Sequence, residues 1–88
     1  MLTESEARVL ATLAVNPAQS FTAKEIAAEA GISAPTVRAT AKWLEYAGLL
    51  WQVQEFPATW RISDSGRRIV ARMDTDFPVR GGETGRPR

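Results

Sequence analysis

Apolar residues recur at helical spacing through the first half of the chain and switch to alternation after Gly48. Thr3 with Glu6 three residues on forms a capping-box pattern, in which hydroxyl and carboxylate each satisfy one unpaired donor of a helix start. Ala7, Leu10, Leu13 and Ala14 follow at helical spacing, and Asn16-Pro17 stops the run, predicting a first helix over about Glu4 to Val15. Thr22 and Glu25 repeat the box, Ile26, Ala27 and Ala30 line one face, and Gly31 supplies a left-handed end. The second helix is therefore about Ala23 to Ala30. Phe21 stands just before that cap, as a hydrophobic staple or as part of a minimal strand. Ser33 then caps a third helix that tolerates Pro35 in its first turn and ends at Gly48.

Beyond Gly48, Trp51, Val53 and Glu55 alternate with Gln52 and Gln54. After Phe56-Pro57-Ala58, Trp60 and Ile62 alternate with Thr59 and Arg61. The pattern is a β-hairpin. Its tip lacks the glycine or asparagine of tight two-residue turns, so a looser tip with proline at a type I position is expected. Ser63 caps a last helix through about Met73, with Ile69, Val70 and Met73 facing inward. These elements make a domain over residues 1–73. Residues 74–88, with Pro78, Gly81, Gly82, Gly85 and Pro87 among scattered charges, are expected to form a flexible tail.

Composition narrows the chemistry. Eighty-eight residues suffice for one small domain, and 44% hydrophobic with 24% charged residues is ordinary globular usage. With neither cysteine nor histidine, disulfides, zinc-finger ligand sets and Cys/His or Ser/His catalytic pairs are excluded. No strand-to-helix glycine loop suits a phosphate, and the carboxylates show no paired spacing. A non-enzyme without cofactor or metal is therefore expected. No apolar run approaches the roughly 20 residues of a membrane span, and Glu4 and Glu6 stand where a secretory signal is basic. A cytoplasmic protein with no membrane partner is expected.

The net charge of +1 hides an uneven distribution. Residues 1–30 set Arg8 and Lys24 against Glu4, Glu6, Glu25 and Glu29. Residues 31–72 set Arg38, Lys42, Arg61, Arg67, Arg68 and Arg72 against Glu45, Glu55 and Asp64. A local basic face of this kind can bind a polyanion while the total stays near neutral.

The order helix, helix, two-residue turn, helix, hairpin, helix is that of an α+β, mainly α, winged helix-turn-helix: three helices, a β-hairpin wing and a C-terminal helix. The stretch Thr22 to Ser33, then Thr36-Val37-Arg38, then Leu44 to Leu50, resembles the helix-turn-helix core of bacterial MarR, PadR and GntR-type regulators. Leu2 to Glu6 and Trp60 to Gly66 resemble how MarR and PadR domains begin and leave the wing. The likeness covers about residues 2–73 and lacks the long dimerisation helices of MarR and PadR proteins and the effector domain of GntR proteins. It implies a sequence-specific double-stranded DNA-binding protein, a small transcriptional regulator with its third helix in the major groove. DNA contacts carry over to Ser33, Thr36, Arg38 and Lys42.

The residues themselves agree on where contacts would lie. On a 100° wheel, Val37, Thr40, Ala41 and Leu44 turn to the core while Pro35, Arg38, Ala39, Lys42 and Tyr46 turn away. Arginine can pair with guanine through two hydrogen bonds, and small neighbours allow close approach. Ser33 is also a helix cap, Thr36 also serves the first turn, and a solvated face is the other reading of Arg38 and Lys42. In the wing, Arg61 is the DNA-binding candidate or else a charge on a solvent face, since the tip offers Phe56, Pro57 and Ala58 beside Glu55. Arg67, Arg68 and Arg72 are expected to neutralise Glu4 and Glu6 of the first helix rather than reach phosphates. Trp43 and Tyr46 are expected to pack on the hairpin at Trp51 or Trp60, a protein interface being the other reading. The competing function is a winged-helix protein-protein interaction module in a larger assembly. One winged helix reads few base pairs, so a weak homodimer or monomer that pairs on DNA is expected, through Leu2 and Val9, Met73, or Trp43 and Tyr46.

Overall fold

The computed structural model describes residues 2–76. The expected tail lies outside the described residues from residue 77 on. Seven elements follow one another: α1 (Glu4–Ala14), β1 (Phe21–Thr22), α2 (Ala23–Ala30), α3 (Ala34–Tyr46), β2 (Leu50–Glu55), β3 (Ala58–Ile62) and α4 (Asp64–Asp76). The mainly helical winged helix-turn-helix is thus present. Helix α1 ends one residue before Val15, which is its C-cap, and α4 continues three residues past Met73 to Asp76.

Both capping boxes form. The Thr3 amide donates to Glu6 Oε1 at 2.9 Å and the Glu6 amide to Thr3 Oγ1 at 3.1 Å, with the same pair of distances at Thr22 and Glu25. Each such cap contributes about 1 kcal/mol. Gly31 ends α2 at φ 75°, a left-handed conformation in which a side chain is strained. The neighbouring Ala30 carbonyl accepts from Arg8 Nη1 at 3.1 Å, while Arg8 Nη2 holds Glu4 at 2.8 Å, so α1 fastens the end of α2.

The core gathers Val9, Leu10 and Leu13 of α1, Ile26 of α2, Val37, Ala41 and Leu44 of α3, and Leu50, Trp60 and Ile62 of the sheet. Val9 is wholly buried, which corrects the expectation that it flanks a free surface of the first helix: it shares the inward stripe with Leu10 and Leu13. Full burial of each aliphatic side chain contributes about 1.5–3 kcal/mol, enough for the stripe on α3 to set that helix's rotation.

The sheet is ordered β1-β3-β2, with Phe21 opposite Trp60 and Thr22 opposite Thr59, so Phe21 belongs to a short strand. In β2 the register slips between Gln52 and Gln54. Trp51 lies opposite Arg61 before the slip, whereas beyond it Gln54 lies opposite Thr59 and Glu55 opposite Ala58. Directly opposed residues share a face, so Glu55 joins the face of Trp60 and Gln54 that of Arg61. The expected single phase for Trp51, Val53 and Glu55 is therefore corrected by a bulge at Val53. The tip is also tighter than expected. Only Phe56 and Pro57 separate the paired Glu55 and Ala58, so proline takes the third rather than the second position of the turn; the Phe56-Pro57 peptide bond is cis.

Candidate nucleic-acid interface

Burial of Val37, Thr40, Ala41 and Leu44 leaves one continuous outward surface on α3. Ser33, Pro35, Thr36, Arg38, Ala39, Lys42, Trp43 and Tyr46 are all exposed along it. The fold thus brings Ser33, Thr36, Arg38 and Lys42 together on one helix.

At the start of α3, Ser33 Oγ accepts from the Thr36 amide at 3.2 Å and donates to Thr36 Oγ1 at 2.8 Å. The Ser33 hydroxyl proton is therefore committed to the cap, while the Thr36 hydroxyl, accepting from Ser33, keeps its own proton free to donate outward. Arg38 and Lys42 make no ion pair among the described residues, and neither does Arg61. Arg61 is exposed on the outer face of the wing, across from Trp51 and on a different element from the other four. It also lines a cleft of about 550 Å³ together with Pro17, Trp51, Ser65 and Arg67.

Two contacts at residues that the sequence pattern did not single out fix the wing, one to the helix and one within the hairpin. The indole N–H of Trp60, buried in β3, donates to the Glu45 carboxylate on α3. At the other end of the hairpin, Gln54 Nε2 donates to the Phe56 carbonyl at 3.0 Å and braces the tip. A carboxylate one helical turn past Lys42 gave no sign of this role; a tryptophan at an inward strand position, needing a partner for its N–H, was the available signal.

The base of the wing is fixed through the backbone. Ser63 Oγ donates to the Gly48 carbonyl at 2.8 Å and accepts from the Gly66 amide at 3.0 Å, while the Ser63 amide donates to the Leu49 carbonyl at 3.0 Å. A Cβ at Gly66 would stand 2.4 Å from the Leu49 carbonyl oxygen and 2.7 Å from Ile62 Cγ1, so only glycine lets α4 start this close to the strands.

Two expectations about charge and aromatics are corrected. Arg67 pairs with Asp64 at 3.3 Å and Arg68 reaches Ser65 at 3.3 Å within their own helix, while Glu4 is held by Arg8 and Glu6 by the Thr3 amide. Neighbours one turn away satisfy these groups before a second helix can. Trp43 and Tyr46 remain 68% and 89% exposed and are not covered by the hairpin, because Trp60 turns inward to Glu45 and Trp51 turns outward beside Arg61.

Residues 3–72 match the model of a protein family described as a domain of unknown function, DUF8612. The chain belongs to this family. No curated protein matches the sequence. Among solved structures, this DUF8612 domain is similar to BpsR of Bordetella bronchiseptica, whose DNA binding is regulated by 6-hydroxynicotinic acid. The TM-score is 0.77 at 22% identity over 84% of this chain and 53% of that one. It is also similar to a MarR family transcriptional regulator from Silicibacter pomeroyi, with a TM-score of 0.73 and 21% identity over 85% and 54% of the two chains. A third similar structure is Staphylococcus aureus MepR in complex with DNA, with a TM-score of 0.75 and 20% identity over 86% and 64%. The domain spans 53–64% of the length of these structures, and shares with them the MarR-type winged-helix fold. No described helix is long and apolar enough to cross a membrane.

Proposed function

We propose that this domain binds double-stranded DNA sequence-specifically, as a small cytoplasmic transcriptional regulator and not an enzyme, with α3 in the major groove. One observation carries the reading: the exposed face of α3 presents Arg38 and Lys42, without ion-pair partners among the described residues, next to the small Pro35 and Ala39. Small residues let the backbone approach, and the two cations supply base-edge and phosphate contacts. Thr36 adds a hydroxyl donor near the N-terminal end of the helix, Ser33 holds that end in shape, and Arg61 extends the basic surface to the wing. The shared fold with a regulator solved on DNA supports the same reading.

Selection from random duplexes followed by a salt titration tests it. An enriched motif bound with a steep loss of affinity between low and moderate salt is the expected result. Absence of enrichment, or affinity indifferent to salt, would overturn it. A second reading, a protein-docking module, is favoured by the exposure of Trp43 and Tyr46, since tryptophan and tyrosine dominate interface energetics. In that case partner affinity falls on Trp43→Ala and Tyr46→Ala while no duplex is selected.

A further inference from the structure

The outer face of the wing meets the start of α4 in the cleft of about 550 Å³, a size within the roughly 300–1,000 Å³ of small-molecule sites. From the wing it is lined by Trp51 and Arg61, and from α4 by Asp64, Ser65 and Arg67. Trp51 and Arg61 are directly opposed on β2 and β3, so their Cβ atoms stand about 4.5–5.5 Å apart on one face of the sheet. The indole is half exposed there, and Arg61 makes no ion pair among the described residues. On α4, Arg67 holds Asp64 by one contact at 3.3 Å, longer than the about 2.7–2.9 Å of a firm charge-assisted bond. The other guanidinium N–H groups of Arg67 and the second carboxylate oxygen of Asp64 have no partner among the described residues. Ser65 Oγ accepts from Arg68 Nη2 at 3.3 Å and keeps its own proton to donate.

We propose that this cleft binds a nucleoside phosphate. The base lies on the indole of Trp51, the phosphate is held by Arg61 and Arg67 with the Ser65 hydroxyl, and a sugar hydroxyl donates to the second oxygen of Asp64. Each part of the lining selects against a simpler occupant. Inorganic phosphate leaves the indole without a partner. An aromatic carboxylate uses the ring and one cation, but sets its own charge against Asp64 and offers that carboxylate no donor. A nucleotide supplies a planar ring, hydroxyl donors and a phosphate together, and guanidinium groups from two separate elements suit the several oxygens of a phosphate. Stacking on an indole tolerates every base, so the site should take purine and pyrimidine nucleotides alike, with purines tighter for their larger ring area. Trp51 and Arg67 take no part in the DNA contacts proposed above, so this site stands or falls apart from that reading.

The test titrates the isotope-labelled full chain with AMP at low salt and follows the indole N–H signals by NMR. The three tryptophans give three such signals, and that of Trp51 is identified by its loss in Trp51→Phe. AMP should shift the Trp51 signal with a Kd below about 1 mM and leave that of the buried Trp60 in place, which also reports that each variant is folded. By calorimetry, Arg67→Ala and Trp51→Ala should each weaken AMP about tenfold, while Trp51→Phe keeps most of the affinity. Adenosine, lacking the phosphate, should bind at least about tenfold more weakly than AMP. No shift of Trp51 by roughly 5 mM AMP would overturn the proposal. So would benzoate or inorganic phosphate binding as tightly as AMP, or an unchanged affinity in Arg67→Ala. Single-stranded nucleic acid carries the same chemical unit, and a short oligothymidylate separates the two sources: a response to it with none to AMP overturns the assignment to a free nucleotide.

Discussion

Gly66 is where one hydrogen atom decides the architecture. Its missing Cβ would collide with the Leu49 carbonyl, a backbone atom that cannot swing aside, and with Ile62, which is in the core. Gly66→Ala should lower unfolding free energy by about 1–3 kcal/mol, measurable as an earlier midpoint in urea. Glu45 carries a comparable weight through a single bond. Glu45→Ala leaves the buried Trp60 N–H without its acceptor and should cost about 1–2 kcal/mol, while Glu45→Gln, which keeps an acceptor oxygen, should cost less. Comparing the two variants by thermal melts separates the hydrogen bond from the rest of the side chain. Equal losses would mean that the carbonyl of glutamine cannot take over from the carboxylate.

At the scale of elements, α3 divides cleanly into a buried stripe and a free face, so the two can be changed independently. Arg38→Ala with Lys42→Ala should leave the melting temperature within error, since neither side chain touches the core. On the DNA-binding reading the double variant loses on the order of 1–3 kcal/mol of affinity for its best site. Undiminished binding in a gel-shift titration would rule α3 out as the reading helix. The helices were legible because capping boxes, Gly31 and the Val37-Leu44 stripe are local signals that tertiary packing reinforces. The wing was legible as a hairpin, but its phase was not. Trp51, Val53 and Glu55 look evenly alternating, and a one-residue bulge changes which face a side chain joins without altering that pattern. The turn at Phe56-Pro57 was missed for a related reason: a proline fits two positions of a four-residue turn, and strand pairing rather than sequence chose between them. The exposed members of the candidate site on α3 were readable from the helical period, whereas Glu45 bonds to an indole fifteen residues on that only the folded wing brings near.

For the whole molecule, the open question is how many copies act together. On the DNA-binding reading, one α3 would contact only a few base pairs, so useful discrimination would call for two domains on a repeated site. The proposed arrangement is a monomer or weak dimer in solution that pairs on DNA. Sedimentation at low micromolar concentration should therefore give the mass of one chain, and footprinting at saturation should protect two half-sites. A stable free dimer would contradict the first expectation and a single unrepeated footprint the second. Burial of Val9 removes one of the surfaces available for such pairing, leaving the face near Trp43 and Tyr46 as the largest exposed aromatic area on the helices.

The three tryptophans occupy two different worlds, with Trp60 3% exposed in the core and Trp43 and Trp51 at 68% and 55% on the helix and wing surfaces. The protein consequently carries its own optical gauge. Iodide should quench the emission of the two outer indoles and spare the inner one, and anything that settles on α3 or the wing should shield the quenchable fraction first. Unfolding instead releases the protected fraction to the quencher. Docking and denaturation therefore leave opposite marks on one fluorescence signal, and occupancy of the surface can be followed without attaching a dye.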